Sequence, residues 1–486
     1  MKINRQTLHP ATLFFLLTAA IIFLSWIFDI YQASVIHPQT GERIYVQSLI
    51  GSEGIRWLLY NVTTNFTGFA PLGMTLVAML GIGAAQHSGF MDACIRRIRG
   101  ARTGQGAGRI ICGVICLGIL SNVVGDAGYI VLLPIAATLF QSAGLHPVGG
   151  IITAFVSVAC GYSANIVIST LDPLMARITQ EAATEAGLPQ GVIGSLSNCY
   201  FMFVSTFLIV GIVYYLTVKK LLPTLGAYKN EKPATDNKPL SQKERRSLSL
   251  ALTVGAIYIV IILLATFSPQ GVLRGVTDGL MHSPFIKGFL FILFFGMGLV
   301  GTVYGFSSGR YKTDKDIIEG LTQPVYLLAI YVVITFFAAQ MFACLEYSCL
   351  DKYVILTAAR LFSSVQLAGP AMILLFIVFI ACINLCMVSA TGKWTLVAFI
   401  FVPVFANMGV TPSITQCAFR IGDSATNALT PFLFYMPLVF ACVRQYDKGF
   451  TYVSLLKCTW RYSVYILIGW TILFAVWYWS GVAMGM

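Results

Sequence analysis

A series of long apolar runs, near 11–30, 69–91, 147–170, 198–218, 248–267, 285–305, 321–343, 415–442 and 462–483, constrains this chain more than any other feature. Each run approaches the ~20 residues a helix needs to cross a hydrocarbon layer. In lipid only helices and closed barrels satisfy their own backbone polar groups, and runs of this length suit helices. Of the 486 residues, 57% are hydrophobic and 10% charged, against roughly 25% charged in soluble domains. A soluble fold of this size would lack charge for its surface. The pattern therefore predicts an all-α integral membrane protein with about nine transmembrane helices.

Two further apolar regions, 109–144 and 367–409, read differently. The arm Ile110–Leu120 is about eleven residues, too short to cross. It ends in the polar, glycine-rich segment Ser121-Asn-Val-Val-Gly-Asp-Ala-Gly128, and a second arm follows to Phe140. In the second region one arm ends near Val388, the tip is Ser389-Ala-Thr-Gly-Lys-Trp394, and another arm runs to Pro403. Two arms around a polar tip describe a re-entrant hairpin, tolerated at membrane depth where protein or a water-filled cavity surrounds it.

Charge sidedness sets the topology. The net charge is +12. A nucleic-acid binder gathers such charge on one face, whereas here it falls in the gaps between apolar runs. With a cytoplasmic N-terminus, and hairpins that return to their side of entry, the inside holds Lys2, Arg5, Arg96, Arg97, Arg99, Arg102, Arg109, the basic residues from Lys219 to Arg246, Arg310, Lys312, Lys315, Arg444, Lys448, Lys457 and Arg461. The outside holds Arg43, Arg56, Arg274, Lys287, Lys352 and Arg360, so the positive-inside rule is met and the C-terminus lies outside. Arg177, Lys393 and Arg420 stand apart from both sets. The polar stretch 222–246 reads as a cytoplasmic linker, solvated or touching anionic lipid, between halves 1–221 and 247–486. The run Ala11–Ile30, with no small-residue cleavage site after it, reads as a retained first helix. The twelve cysteines lie mostly inside apolar segments, without a zinc pattern, and read as small buried hydrophobes.

The halves share a pattern. After the first hairpin comes Gly161-Tyr-Ser163-Ala-Asn165, then Thr170 and Asp172-Pro173; after the second comes Gly422-Asp-Ser424-Ala-Thr-Asn427, then Thr430-Pro431. On this topology the hairpins enter from opposite sides, so the repeat is inverted. Inverted repeats with Gly- or Pro-interrupted helices in matching places point to a transporter's binding site. The ends of broken helices offer N–H groups to an anion and carbonyls to a cation. The same small residues also serve as packing devices.

Ionisable residues deep in a membrane are functional candidates by default. Asp126, Asp172 and Asp423 each sit at a hairpin tip or helix break. Arg420 and Asp423, three apart, can share a helical face. They read either as a brace for the break or as an anion-binding guanidinium beside a carboxylate that takes a cation or proton. Asp172, before Pro173, reads as a proton carrier or an N-cap. Trp394 offers an aromatic face to a ring or cation, or anchors at the lipid interface. Asn384, Asn427 and exposed carbonyls could serve sodium, or bond helix to helix. There is no H-E-x-x-H or Walker A segment, and Gly305-Phe-Ser-Ser-Gly309 fits G-x-S-x-G only at the end of an apolar run, not as a strand-to-helix elbow, so no enzyme signature and no ATP site is read.

Taken together, Ser121-Asn122…Asp126-Ala-Gly-Tyr, Gly161-Tyr-Ser163-Ala-Asn165…Asp172-Pro-Leu, Ser389-Ala-Thr-Gly-Lys-Trp394 and Arg420-Ile-Gly-Asp423-Ser-Ala-Thr-Asn427…Thr430-Pro431 resemble the AbgT family of p-aminobenzoyl-glutamate transporters, across nearly the whole chain. The resemblance implies a bowl-shaped homodimer in a bacterial inner membrane, with nine spans and two hairpins per subunit and a fold akin to the divalent anion/sodium symporters. It implies site positions at Asp172, Trp394, Pro412, Arg420, Asp423 and Pro431, with Thr391 where relatives carry Ser. It also implies a sodium site at Asn384, Asp423 and Asn427. The expected activity is ion-coupled secondary transport, with a proton or sodium as coupling ion and no cofactor. The expected substrate is a small molecule with an aromatic ring and an acidic or sulfonyl group: p-aminobenzoyl-glutamate taken up, or a sulfonamide exported. A sodium-coupled dicarboxylate symporter is the alternative, and an ion channel a more distant one.

Overall fold

A computed structural model describes residues 8–100, 106–228, 240–275, 283–364 and 369–486. These are helical apart from one short antiparallel ribbon, Ser34–Ile36 against Arg43–Tyr45. Among the described residues nine helices are long and apolar enough to span a membrane: Pro10–Ile30, Ser52–His87, Gly106–Val124, Cys199–Leu225, Gln242–Phe267, Phe289–Ser308, Ala329–Ser348, Ala390–Asn407 and Tyr452–Ser480.

The number matches expectation but the membership does not. The first hairpin's leading arm starts at Gly106 and continues through a tight turn at Asn122–Val124. At 19 residues it is long enough to cross, not the short arm expected from Ile110–Leu120, because Gly106–Arg109 joins the helix despite its glycines. The spans at 147–170 and 415–442 are interrupted, as their repeated motifs predict, and neither has a single helix long enough to cross. Pro147–Cys160 stops at Gly161 and a new helix begins at Leu171; Pro412–Ala425 stops before Thr426 and helix resumes at Met436. These breaks fall at the G-x-S-A segments. Pro412 begins its helix, where a missing N–H is no loss.

The expected span at 321–343 is two helices, Asp314–Leu327 and Ala329–Ser348. Polar residues of Asp314–Leu327 explain why the apolar run alone misplaced its start. Two amphipathic helices, Ser52–Thr67 and Leu350–Ser363, went unmarked because neither is apolar throughout. The linker expected over 222–246 contains 229–239, which lies outside the described residues. Its last part is already helix: Ser241 and Glu244 form a reciprocal capping box that starts Gln242–Phe267.

Helices Ala70–His87 and Phe289–Ser308 approach closely through small residues. A Cβ on Gly81 would lie 2.4 Å from the Phe294 carbonyl, and one on Gly301 would lie 2.8 Å from the Ala84 backbone. Gln242–Phe267 exposes Leu250, Leu252, Ile257, Ile261 and Leu264 around its circumference, which in water would be untenable and in lipid is ordinary. The main apolar core gathers helices of both expected hairpin regions, Gly106–Ser121 with Ala127–Ser142 and Gly369–Ile383 with Ala390–Asn407, both broken spans and the last helix. In the middle of that core sit the buried charges.

Candidate functional site

Each repeated motif is seated against the hairpin of its own half. A Cβ on Gly161 would lie 2.8 Å from Ile119, near the end of the first hairpin's leading arm. A Cβ on Gly422 would lie 2.4 Å from the Ile377 carbonyl, in the second hairpin's leading arm. Only glycine admits such contact. The two breaks also touch each other. Ser424 Oγ donates to Ser163 Oγ at 2.8 Å, and Asn427 Nδ2 donates to the Ala159 carbonyl at 3.0 Å. Both serines are fully buried.

Two ion pairs lie at this crossing. Arg420 Nη1 is 2.6 Å from Asp172 Oδ1, and Arg420 Nη2 donates to the Ser163 carbonyl at 3.1 Å. The other Asp172 oxygen accepts from the Ser169 N–H at 2.6 Å and the Ser169 hydroxyl at 2.9 Å. Arg420 is 2% exposed, and its Nε–H has no partner. The guanidinium therefore keeps one buried donor in hand, an arrangement that costs stability unless a ligand uses it.

The second pair is Asp423 with Lys393, Nζ to Oδ1 2.7 Å, both side chains at most 1% exposed. Of the two readings of Arg420 and Asp423, the mutual brace is thus not what forms. Spacing of three along a helix permits contact but does not compel it, and each charge finds a closer partner on another element. Lys393, left out of the expected site, is the residue sequence reasoning missed. Its ammonium also donates to Asn384 Oδ1 and lies 5.9 Å from the centre of the Phe419 ring. Asn384 Nδ2 in turn donates to Asn427 Oδ1 at 2.8 Å and Thr426 Oγ1 at 3.1 Å. So Asn384, Asp423 and Asn427 do come together, around a lysine.

Trp394 is fully buried. Its indole N–H donates to Thr179 Oγ1 at 2.8 Å, and Phe419 covers its ring at 4.5 Å between centres. Its face is thus packed, not open to a ring or to lipid. Thr179 also accepts from Gln416 Nε2 at 2.9 Å. This hydroxyl ties the second hairpin to both broken spans, and neither Thr179 nor Gln416 carries a sequence signal beyond being polar in an apolar setting.

Other expected residues lie further out. Pro412 is one helix-start away from Arg420, about 12 Å at 1.5 Å per residue. Pro431 follows Thr430, whose hydroxyl donates to the Leu385 carbonyl. Ser389 caps the second hairpin's trailing arm, accepting from the Gly392 N–H at 3.2 Å, and Thr391 is half-buried in that first turn. At the first tip Ser121 bonds its own helix, and Asn122 Nδ2 donates to the Val158 carbonyl at 3.1 Å while its buried Oδ1 has no partner. Asp126 follows Gly125, whose φ of 69° makes the turn, and lies beside Tyr435. Asn165, in the amide orientation that satisfies it, donates to the Ile119 carbonyl at 3.0 Å.

A cavity of about 280 Å³ opens beside the first pair, lined among others by Ser163, Asn165, Asp172, Asn198 and Arg420. That is close to the lower end of small-ligand pockets, ~300–1,000 Å³. The cavity is concave, with a buried charge pair on its wall.

The sequence profile described as "AbgT putative transporter family" matches residues 2–486. This chain belongs to the AbgT transporter family. It is 31% identical to the p-aminobenzoyl-glutamate transport protein of Escherichia coli (strain K12), over 100% of this chain and 94% of that one. Among solved structures it resembles the YdaH transporter of Alcanivorax borkumensis, at 33% identity and a TM-score of 0.54 over 99% of this chain and 100% of that one. It also resembles MtrF of Neisseria gonorrhoeae, described among antimetabolite efflux pumps, at 34% identity and a TM-score of 0.52 over 98% and 96%. An AbgT chain is thus a membrane transporter, not an enzyme.

Proposed function

We propose that this AbgT protein is an ion-coupled secondary transporter of p-aminobenzoyl-glutamate-like solutes, with sulfonamide-type antimetabolites as a second substrate class. The observation that carries the reading is Arg420 on the cavity wall, paired to Asp172 at 2.6 Å yet holding one buried donor unused. A substrate carboxylate or sulfonyl group entering from the cavity meets that guanidinium and competes with Asp172 for it. Charge-assisted bonds of this kind, in a dry site, are strong enough to select an anion. The same competition gives a route to coupling, because Asp172 displaced from Arg420 is free to take up a proton or face a cation.

The relatives support the substrate class: one is named for p-aminobenzoyl-glutamate, another is described as an antimetabolite pump. Contact between the matching serines Ser163 and Ser424 supports the inverted repeat. On this reading the helical hairpins re-enter from opposite faces, the subunit pairs as a homodimer, and the two breaks carry the substrate between the sides.

The expected sidedness has support as well. Asp92, Arg96, Glu244 and Arg310, all from segments assigned inside, line one polar cavity. Arg360 reaches the Ile36 carbonyl, and the Met486 N–H reaches the Leu196 carbonyl, joining segments assigned outside. This fits an inner-membrane protein with a cytoplasmic N-terminus and a periplasmic C-terminus.

Calorimetric binding of p-aminobenzoyl-glutamate and of a sulfonamide to purified wild type and Arg420→Ala tests the assignment. The expected result is saturable binding that Arg420→Ala weakens by roughly tenfold or more, 1.4 kcal/mol per decade. Equal binding by both proteins would contradict it.

A further inference from the structure

In the three side chains that resemblance marks as a sodium site, a lysine ammonium already occupies the oxygens that face one another. Asp423 Oδ1 and Asn384 Oδ1 both face Lys393 Nζ, the first at 2.7 Å. Asn427 Oδ1 accepts from Asn384 Nδ2 at 2.8 Å. The orientation of Asn384 is fixed, since its amide nitrogen feeds Asn427 and Thr426. Turning it over would set an NH₂ against an ammonium. Asn427 is fixed likewise by its bond to the Ala159 carbonyl.

A lysine ammonium is a compact point charge with three donors. It carries the charge of a sodium ion and, like one, is held by oxygens. Here it arrives on a side chain from the second hairpin's first turn, and Phe419 presents its ring to it from the broken span. Arg420 is paired with Asp172. Cys386 is the other titratable group near Lys393, and Tyr162 lies near enough to feel the charges of Asp126, Asp423 and Arg420. A sodium ion added to this cluster would face Lys393 at close range, beside a carboxylate already paired with that ammonium.

The geometry points to Lys393 as a built-in cation that fills the candidate sodium position, so that this protein binds no sodium there and transports without it. The inference rests on the transporter reading for its physiological meaning, but its test involves no substrate. Removing the ammonium, as in Lys393→Ala, leaves Asp423 and Asn384 facing a vacated volume suited to a small monovalent cation. A sodium site should then appear.

The experiment is equilibrium binding of radioactive sodium to the purified full chain, with thermal melts in sodium against choline chloride. Wild type should bind no sodium in an Asp423-dependent way and melt alike in both salts. Lys393→Ala should bind about one sodium ion per chain and be stabilised by sodium, and Lys393→Ala with Asp423→Asn should lose both properties. Sodium binding by wild type that Asp423→Asn abolishes would overturn the inference, and so would a folded Lys393→Ala indifferent to sodium. If Lys393→Ala does not fold in either salt, Lys393→Gln takes its place and wild-type binding still decides. A wrong substrate assignment would leave every one of these results unchanged.

Discussion

Ser163 and Ser424 occupy the same place in the two G-x-S-A segments, and their hydroxyls meet at 2.8 Å. Segments 261 residues apart are thus joined through equivalent atoms. An inverted repeat places equivalent residues about a local two-fold axis, and a residue on that axis touches its own counterpart. This contact holds the two helix breaks together and brings Arg420 of one within reach of Asp172 of the other. Ser163→Ala and Ser424→Ala should each cost ~1 kcal/mol, the worth of one buried hydrogen bond. The double variant should cost clearly less than the sum, since both singles remove the same bond. Thermal melts of the three variants check this.

Breaking the Arg420–Asp172 pair from one side leaves a buried charge alone. Asp172→Asn and Arg420→Met should each destabilise by ~3–5 kcal/mol, and the double variant by less than either. Transport should fail in all three. Arg420→Lys should keep the fold better than Arg420→Met yet lose most substrate affinity, because an ammonium cannot serve two acceptors in the planar fork of a guanidinium. Melts and flux on the same preparations separate the two effects.

Gly422→Ala should be damaging. Its new Cβ would sit 2.4 Å from the Ile377 carbonyl, which forces the broken span away from the second hairpin at a cost of ~1–3 kcal/mol. Gly113→Ala is the control, since nothing lies within 4 Å of its Cβ; there the change should be neutral or stabilising by ~0.5–1 kcal/mol. The measurement is the melting temperature, with flux expected to fall in Gly422→Ala alone.

Trp394→Phe removes the 2.8 Å bond to Thr179 but keeps a ring against Phe419. It should cost ~1 kcal/mol, whereas Trp394→Ala should cost ~3–5 kcal/mol through the cavity it leaves. If Trp394 acts by locking the hairpin to the broken spans, Thr179→Val should reproduce the transport defect of Trp394→Phe. A normal flux in Thr179→Val would contradict that role.

Much of this architecture was legible from local sequence. The long apolar runs gave the helices, and the glycine-rich tips and G-x-S-A segments marked where helix had to stop. Both are properties of a few neighbouring residues and the solvent they face. What local sequence could not show was pairing. Arg420 lies three residues from Asp423, and spacing permitted that partner, but Asp172 approaches from the other half of the chain. Lys393 was treated as one more basic residue of a tip. A lysine inside an apolar region is costly wherever it sits, and that cost alone was the signal that a carboxylate had to lie beside it. Ser52–Thr67 and Leu350–Ser363 are illegible for a different reason: amphipathic helices lack the uninterrupted apolar run that marks a span.

The central claim is that an anion engages Arg420 in an ion-coupled cycle that needs no sodium. Its most direct test is flux of p-aminobenzoyl-glutamate in proteoliposomes, with proton and sodium gradients imposed separately, for wild type and Arg420→Ala. The account predicts saturable flux in wild type under the proton gradient, none from the sodium gradient alone, and none in Arg420→Ala. Flux driven by sodium alone, or an Arg420→Ala protein as active as wild type, would contradict it.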